Sequence, residues 1–352
     1  MKNQSKQSTR GFTLIELLVA MVITTLIVTI LVSVTAMALD TWNRSRSEIR
    51  AARQGKAMID SMARDFESLV VRKGNDFEWL YAAYSINGSS NDGPGGNESP
   101  NAADLVFFSA ATDRYNGNIG DPGDPTATPP VASKDKGGDV STVAYQLVYQ
   151  DPIDPDQNYT DMSDKEKEKL QTFVLYRKII SPDVTFTDTL GKTFTADTST
   201  VLLDSAKSAA LDDPNPDDGI TPAPEIDNPS NFICENVYQF TTTFHVDVTT
   251  ANGKTVSVPV PLGNGTDSTR IFKVGGSGMY LENSIKIPII PGDSIDIAMI
   301  KAGRLTAVEI SLTVLTDFGL KQMQQRGNIP DIDEFIAEHS YQYSKVIPVP
   351  GS

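Results

Sequence analysis

From Leu17 to Leu39 the chain carries neither a charge nor a proline. That uncharged run is 23 residues long, and about 20 apolar residues in a helix cross a bilayer. Past Leu39 the pattern changes but the helical period continues. Ile49, Ala52, Ile59, Met62, Phe66 and Leu69 recur at spacings that lay one apolar stripe along a helix. The other faces carry Arg44, Arg46, Glu48, Arg50, Arg53, Lys56, Asp60, Arg64 and Asp65, with Asp60 and Arg64 spaced for a helical ion pair. Gly74, after Arg72 and Lys73, fits a C-terminal cap. The pattern predicts one helix from Phe12 to Lys73, roughly 90 Å long at 1.5 Å per residue. Its first half suits lipid and its second half suits packing on a folded head. Gly55 lies inside it and marks a candidate bend, at about 1 kcal/mol against Ala.

Beyond residue 74 the period shortens. Leu105–Phe108, Val140–Tyr149, Phe173–Ile180, Asn236–Val248, Thr255–Val260, Ile285–Ile290, Leu305–Thr316 and Tyr341–Pro348 read as strands, rich in β-branched and aromatic residues. Asn252-Gly253 between two of them is a hairpin signal. Ser163–Gln171 reads as a short surface helix with Ser163 as its N-cap, and Asp317–Gln325 as another. Between these elements lie polar, Gly- and Pro-rich stretches at 88–100, 118–138, 151–161 and 211–229, which read as loops. The expected class is α+β, a long N-terminal helix packed on an antiparallel β-sheet head. The expected divisions are 1–11, 12–39 (the membrane-spanning half of the helix), 40–73 (the amphipathic half) and a β-rich head at 74–352.

One charge interrupts the apolar start. Glu16 sits at the front edge of the run, in Arg10-Gly11-Phe12-Thr13-Leu14-Ile15-Glu16-Leu17-Leu18. An ionisable group at membrane depth is costly and marks a functional position. The preceding Met1–Gly11 carries Lys2, Lys6 and Arg10 and no acid. This stretch resembles the class III signal of type IV prepilins and of type II secretion pseudopilins. The resemblance implies cleavage after Gly11 by a prepilin peptidase, methylation of the new N-terminus at Phe12, and a role for Glu16 in assembly. It also implies other pilins or pseudopilins as partners, anchorage by a single pass in the inner membrane, and a head in the periplasm or on a filament. The rival reading is an ordinary secretory signal peptide, since Ala36-Met37-Ala38 resembles its cleavage site. Against it, the run exceeds the usual signal core of about 7–15 residues. Charge does not decide orientation, because both flanks of the run are basic.

A narrower resemblance rests on the head. Val143–Leu147, Leu175–Lys178, Val237–Phe240 and Arg304–Ile310, with the helical segment Gly55–Phe66, are similar to the J-type minor pseudopilins. They also resemble the prepilin-like proteins of large Verrucomicrobia gene cassettes known as cassette protein C. The long acidic loops depart from the pseudopilin pattern and enlarge the head, which suits a minor or tip subunit better than a bulk repeat.

Charge and chemistry narrow the function. The formal net charge is -15, which argues against nucleic acid as a partner. The two histidines, His245 and His339, stand apart, and no nucleotide-binding, zinc-protease or serine-hydrolase motif is present. Gly275-Gly276-Ser277-Gly278 lacks a following Lys and reads as a turn. The single Cys234 reads as a small buried strand residue. No enzymatic role and no cofactor are expected, with one open question. Asp213, Asn215, Asp217 and Asp218 alternate as oxygen ligands, with Gly219 and Glu225 following. In a calcium loop of the EF type, Gly stands sixth and Glu twelfth, whereas here each arrives one residue late. The stretch reads either as a calcium loop or as a solvated acidic loop, and the spacing favours the second. Asp154, Asp156 and Asn158 are a weaker version.

The expected function is a structural subunit of a type II secretion or type IV pilus-like filament, of the minor pilin or pseudopilin kind. The alternatives are a pilus-tip adhesin that binds through its acidic loops and, lower in rank, a membrane-anchored enzyme.

Overall fold

The computed structural model describes residues 12–71, 76–85, 93–97, 99, 102–110, 139–153, 162–209, 226–263, 265–282, 295–327 and 329–349. Gly11 and the basic leader lie outside these residues. So do the calcium candidates Asp213, Asn215, Asp217, Asp218 and Glu225, the acidic stretch Asp154–Asn158, the strand expected at Ile285–Ile290, and the cap expected at Gly74.

The chain divides into two compact units, Met1–Ile49 and Arg50–Ser352. One helix, α1, runs through Leu14–Glu67 and supplies residues to both. In the first unit it has no glycine or proline. Its large side chains are exposed throughout, Leu17 at 58%, Leu31 at 63% and Met37 at 72%.

In the second unit α1 buries one side. Ala51, Gly55, Met58, Ile59, Met62, Ala63, Asp65 and Phe66 form the buried arc, and Arg53, Lys56, Asp60 and Arg64 the exposed one. The expected stripe is thus rotated: Ile49 is half exposed and Asp65 is buried. Gly55 is a close approach rather than a bend. A Cβ there would fall 2.7 Å from Cδ2 of Tyr343, and the Tyr343 hydroxyl donates to the Ala52 carbonyl at 2.7 Å. The ion pair expected between Asp60 and Arg64 does not form. The Asp60 carboxylate takes Lys345 at 3.4 Å, and Arg64 Nε donates to the Asp60 main-chain oxygen. The helix stops at Glu67, short of Lys73. There the Ser68 hydroxyl bonds the Arg64 and Asp65 carbonyls and Ser109 Oγ. The chain then turns extended, and Val70 N–H donates to the Phe108 carbonyl.

The head is a branched sheet of eleven strands among the described residues. They are β1 (Glu78–Ser85), β2 (Ala102–Ser109), β3 (Ser141–Gln150), β4 (Thr172–Ile180), β5 (Phe232–Glu235), β6 (Val237–Thr249), β7 (Thr255–Pro261), β8 (Ile271–Gly275), β9 (Gly278–Leu281), β10 (Arg304–Leu315) and β11 (Ser340–Pro348). One antiparallel run is β5-β4-β3-β2-β1-β8-β9 and the other is β7-β6-β10-β11. They join through a single parallel pairing, Ala102 with Phe240. The hairpin expected at Asn252-Gly253 links β6 and β7, with Gly253 at φ 76°. The Gly275–Gly278 stretch is the turn between β8 and β9. Asn236 separates β5 from β6 in a left-handed conformation, φ 61°, which Asn tolerates better than most residues. Its side chain accepts from Thr172 Oγ1 and donates to Asp317.

Alternation along each strand sends neighbouring residues to opposite faces. On the α1 face Phe66 stacks on Phe107 at 4.2 Å between centroids. Arg177 forks onto Asp65 with two bonds of 2.8 Å, and Tyr145 donates to the same carboxylate. A buried ion pair needs such full satisfaction to offset its desolvation. On the other face lie Lys178 and Lys273, both with no exposure, under a short helix, Val201–Ser208. Lys178 Nζ donates to the Lys207 carbonyl in the last turn of that helix, an end where cations are favoured. Lys273 Nζ donates to the Ser199 carbonyl and lies 3.4 Å from Glu78 Oε1. Burial pushes the Glu78 carboxyl up to about 7, and the Lys273 charge offsets only part of that push.

Candidate functional site

The motif at the start of α1 is built by its own sequence. Thr13 stands just before the helix, and Leu17 N–H donates to its carbonyl in the first turn. Three residues on, Glu16 folds back. Its Oε2 accepts from the Thr13 main-chain N–H and from the Thr13 hydroxyl, each at 2.9 Å. The Glu16 N–H donates to Thr13 Oγ1 at 3.3 Å. This reciprocal arrangement is a capping box, which satisfies donors that a helix start leaves open. The T-x-x-E spacing is a readable sign of it, and weighing Glu16 only as a charge at membrane depth misses it. The carboxylate thus has local partners on one oxygen, while Oε1 accepts nothing among the described residues. Phe12, one residue before the cap, is 89% exposed.

The span that follows is consistent with an apolar solvent at each polar atom. Within Leu14–Glu67 an 18-residue window reaches a mean hydropathy of 2.8, and none of that window is buried inside the protein. Thr24, Thr25, Thr29, Ser33 and Thr35 each donate a hydroxyl to a carbonyl three or four residues earlier. Such bonds leave no hydroxyl hydrogen exposed to lipid. An uncovered apolar surface of this length needs lipid or other helices around it.

The head presents little reactive chemistry among the described residues. No group of three or more His, Cys, Asp or Glu could hold a metal there. His245 lies 3.4 Å from Glu309 Oε2, and His339 packs edge-on between Phe318 and Phe335. Cys234 is buried in β5, and burial pushes its thiol up to about 12. An open cavity of about 390 Å³ is lined by Trp79, Met279, the 274–278 turn and Arg304. No carboxylate or imidazole lines it, so it lacks a general base.

Among known families, the model of the prokaryotic N-terminal methylation motif matches residues 6–32. The match covers Gly11, Phe12, Glu16 and the first part of the apolar span, so the chain carries a type IV prepilin-like signal at its N-terminus. No curated protein and no solved structure matches the chain.

Proposed function

We propose that this protein is a pilin-like precursor of the minor pilin or pseudopilin kind, a structural subunit of a type II secretion or type IV pilus-like filament. The observation that carries the reading is the conjunction at the N-terminus. A methylation-motif match over residues 6–32 opens a helix whose apolar first half has no cover within the protein. Among head types, the J-type pseudopilins and the cassette protein C proteins are those its strand motifs resemble.

In this reading prepilin peptidase cuts after Gly11, and the freed amine of Phe12 is methylated. Before cleavage the span anchors the chain in the inner membrane, with the head on the far side from the leader. In the filament, the Leu17–Leu39 surfaces of neighbouring subunits cover one another. The cation at Phe12 and the carboxylate of Glu16 on an adjacent subunit then relieve each other's cost at membrane depth. Glu16 Oε1, which accepts no bond within the chain, is the atom open to that partner.

Two experiments test this. The first is intact-mass and N-terminal analysis of protein taken from membranes of its own host, where a methylated Phe12 terminus is expected. A terminus just after Ala38, or an intact Met1, overturns the reading. The second is Glu16→Ala, which should leave membrane insertion intact and reduce co-assembly. Normal incorporation of that variant would sink the role given to Glu16.

A further inference from the structure

The charge of the chain is unevenly placed. Residues 1–73 sum to +5 and residues 74–352 to -20. The excess of cations surfaces on one arc of α1. At 3.6 residues per turn Arg53, Lys56, Asp60 and Arg64 share the face opposite the buried one, and all four are exposed. Two neighbouring charges already have partners. Arg50 pairs with Glu235 and with Asp317 at 3.7 Å, and Asp60 with Lys345. Arg53, Lys56 and Arg64 have no carboxylate partner among the described residues. In a protein with 45 acids to 30 bases, three adjacent bare cations are a surface left for something else.

The opposite surface lies on the same unit. The helix Ile332–His339 buries Phe335 and Ile336 and exposes Asp333, Glu334 and Glu338, with Asp331 as its N-cap. None of the exposed carboxylates has an Arg or Lys partner among the described residues. The two surfaces do not face each other within one chain. The acidic helix leads into β11, whose Tyr343 meets Ala52 and whose Lys345 meets Asp60. β11 therefore runs beside α1 in the same direction. The acidic helix lies at the Arg50 end, where Asp317 meets Arg50 and Phe318 packs on His339. The bare cations extend the other way, to Arg64.

We propose that the basic strip of α1, Arg53, Lys56 and Arg64, docks the acidic helix Asp331–His339 of a second copy of this chain displaced along the α1 axis. Two different patches that meet head to tail form a heterologous contact. Such contacts extend into open helical arrays unless they close into rings. The inference rests on the filament reading and adds a head-level register to it. It also gives neighbouring positions to several copies, rather than one position at a tip. Exposed ion pairs are individually weak and screened by salt, so the contact sets register and orientation while the apolar helices carry association.

Cysteine cross-linking of the full-length chain in membranes tests it. Two differently tagged copies are co-expressed, one with Arg53→Cys and the other with Glu334→Cys. A parallel pair carries Leu31→Cys on both copies and reports packing of the spans alone. The expected result is a mixed 53–334 disulfide whose yield falls about tenfold when Lys56→Glu and Arg64→Glu are added to the first copy, by loss of weak pairs in concert. Asp333→Lys and Glu338→Lys on the second copy should restore it. A 31–31 cross-link with no 53–334 product, or with one indifferent to charge reversal, overturns the docking and leaves the filament reading standing. Absence of both cross-links overturns the filament reading, and the docking with it.

Discussion

The two parts of α1 share one backbone geometry and differ in what covers them. Before Ile49 the helix is apolar on every side, and its large residues are more than half exposed, as at Leu26 and Leu31. After Arg50 it is apolar on one side only, and Met62, Ala63 and Phe66 are sealed under the sheet. A helix apolar all round is buried in protein or lipid, whereas a one-sided helix needs a single partner surface. The second part has that surface in its own chain. The first must find its cover elsewhere, which is why residues 14–39 argue for membrane and filament while residues 50–67 argue for a stable head. Mutations in the two stretches should therefore report on different properties.

The largest expected effect sharpens this contrast at Asp65. Its carboxylate is 1% exposed and holds both Arg177 and Tyr145. Asp65→Ala strands a buried guanidinium, and breaking a buried pair costs about 3–5 kcal/mol. Chemical unfolding of the head should show that loss, while Glu16→Ala should show none. If Asp65→Ala unfolds at the wild-type midpoint, the sheet does not depend on this anchor. Replacing Asp65 with Leu and Arg177 with Met together should recover most of the loss, since an apolar pair removes both desolvation costs.

Next in size is a dependence on pH confined to the head. Glu78 is 2% exposed and its carboxyl is pushed up to about 7 from an ordinary value near 4.5. The folded state therefore holds its proton more tightly than the unfolded chain. That contribution is complete below about pH 4.5 and is lost as pH rises towards 7. One such group changes unfolding free energy by at most about 1.4 kcal/mol per pH unit. Glu78→Gln keeps the shape and removes the proton, so its unfolding curve should be flatter than wild type between pH 5 and 7. Parallel curves would mean that Lys273, with Asp197 at 3.7 Å, holds Glu78 ionised throughout.

Asp65 and Glu78 also show where the sequence stops being legible. Both halves of α1, the β6–β7 hairpin and strands β3, β4, β10 and β11 follow from local period and turn residues. β1 does not, because Trp79, Leu80, Tyr81, Ala82 and Ala83 are all buried. A strand covered on both faces loses the alternation by which strands are recognised. The helix Val201–Ser208 escapes for a related reason: it is too short to establish a period. Asp65 reads as a wet-face residue because its partners, Arg177 and Tyr145, lie 112 and 80 residues away. Lys178 and Lys273 are hidden likewise, since their carbonyl acceptors come from a covering segment that no spacing announces. At the N-terminus the opposite holds. Thr13 and Glu16 are three residues apart, and everything the structure adds there was encoded locally.

Gly55 tests how tightly the second part of α1 is held. Ala is the better helix former by about 1 kcal/mol, so an exposed glycine replaced by Ala would stabilise. Here the added methyl would meet Tyr343 Cδ2 at 2.7 Å and Val314 Cγ2 at 3.2 Å. The Tyr343 ring is tethered through its hydroxyl to Ala52. Overpacking costs about 1–3 kcal/mol, so the clash outweighs the propensity and Gly55→Ala should lower head stability by about 1 kcal/mol. The sign should reverse in a Tyr343→Ala background. A stabilising single variant would mean that the ring yields and that the approach is loose.

The smallest effect is expected where the first part of α1 begins. Thr13→Ala removes the hydroxyl that accepts from Glu16 N–H and donates to the Glu16 carboxylate. Loss of an N-cap costs about 0.5–2 kcal/mol. That loss is confined to one helix end and cannot spread through a packed core, because residues 14–39 have none in their own chain. Hydrogen exchange in detergent micelles should therefore show faster amides at Ile15, Glu16 and Leu17 alone, with Leu26 onward and the whole head unchanged. Ser163 provides the matched control in the head, where its N–H and hydroxyl donate to Glu166 in the same spacing. If Thr13→Ala instead loosens α1 as far as Arg50, the two parts of the helix are one cooperative element, and the separation between membrane part and head part fails.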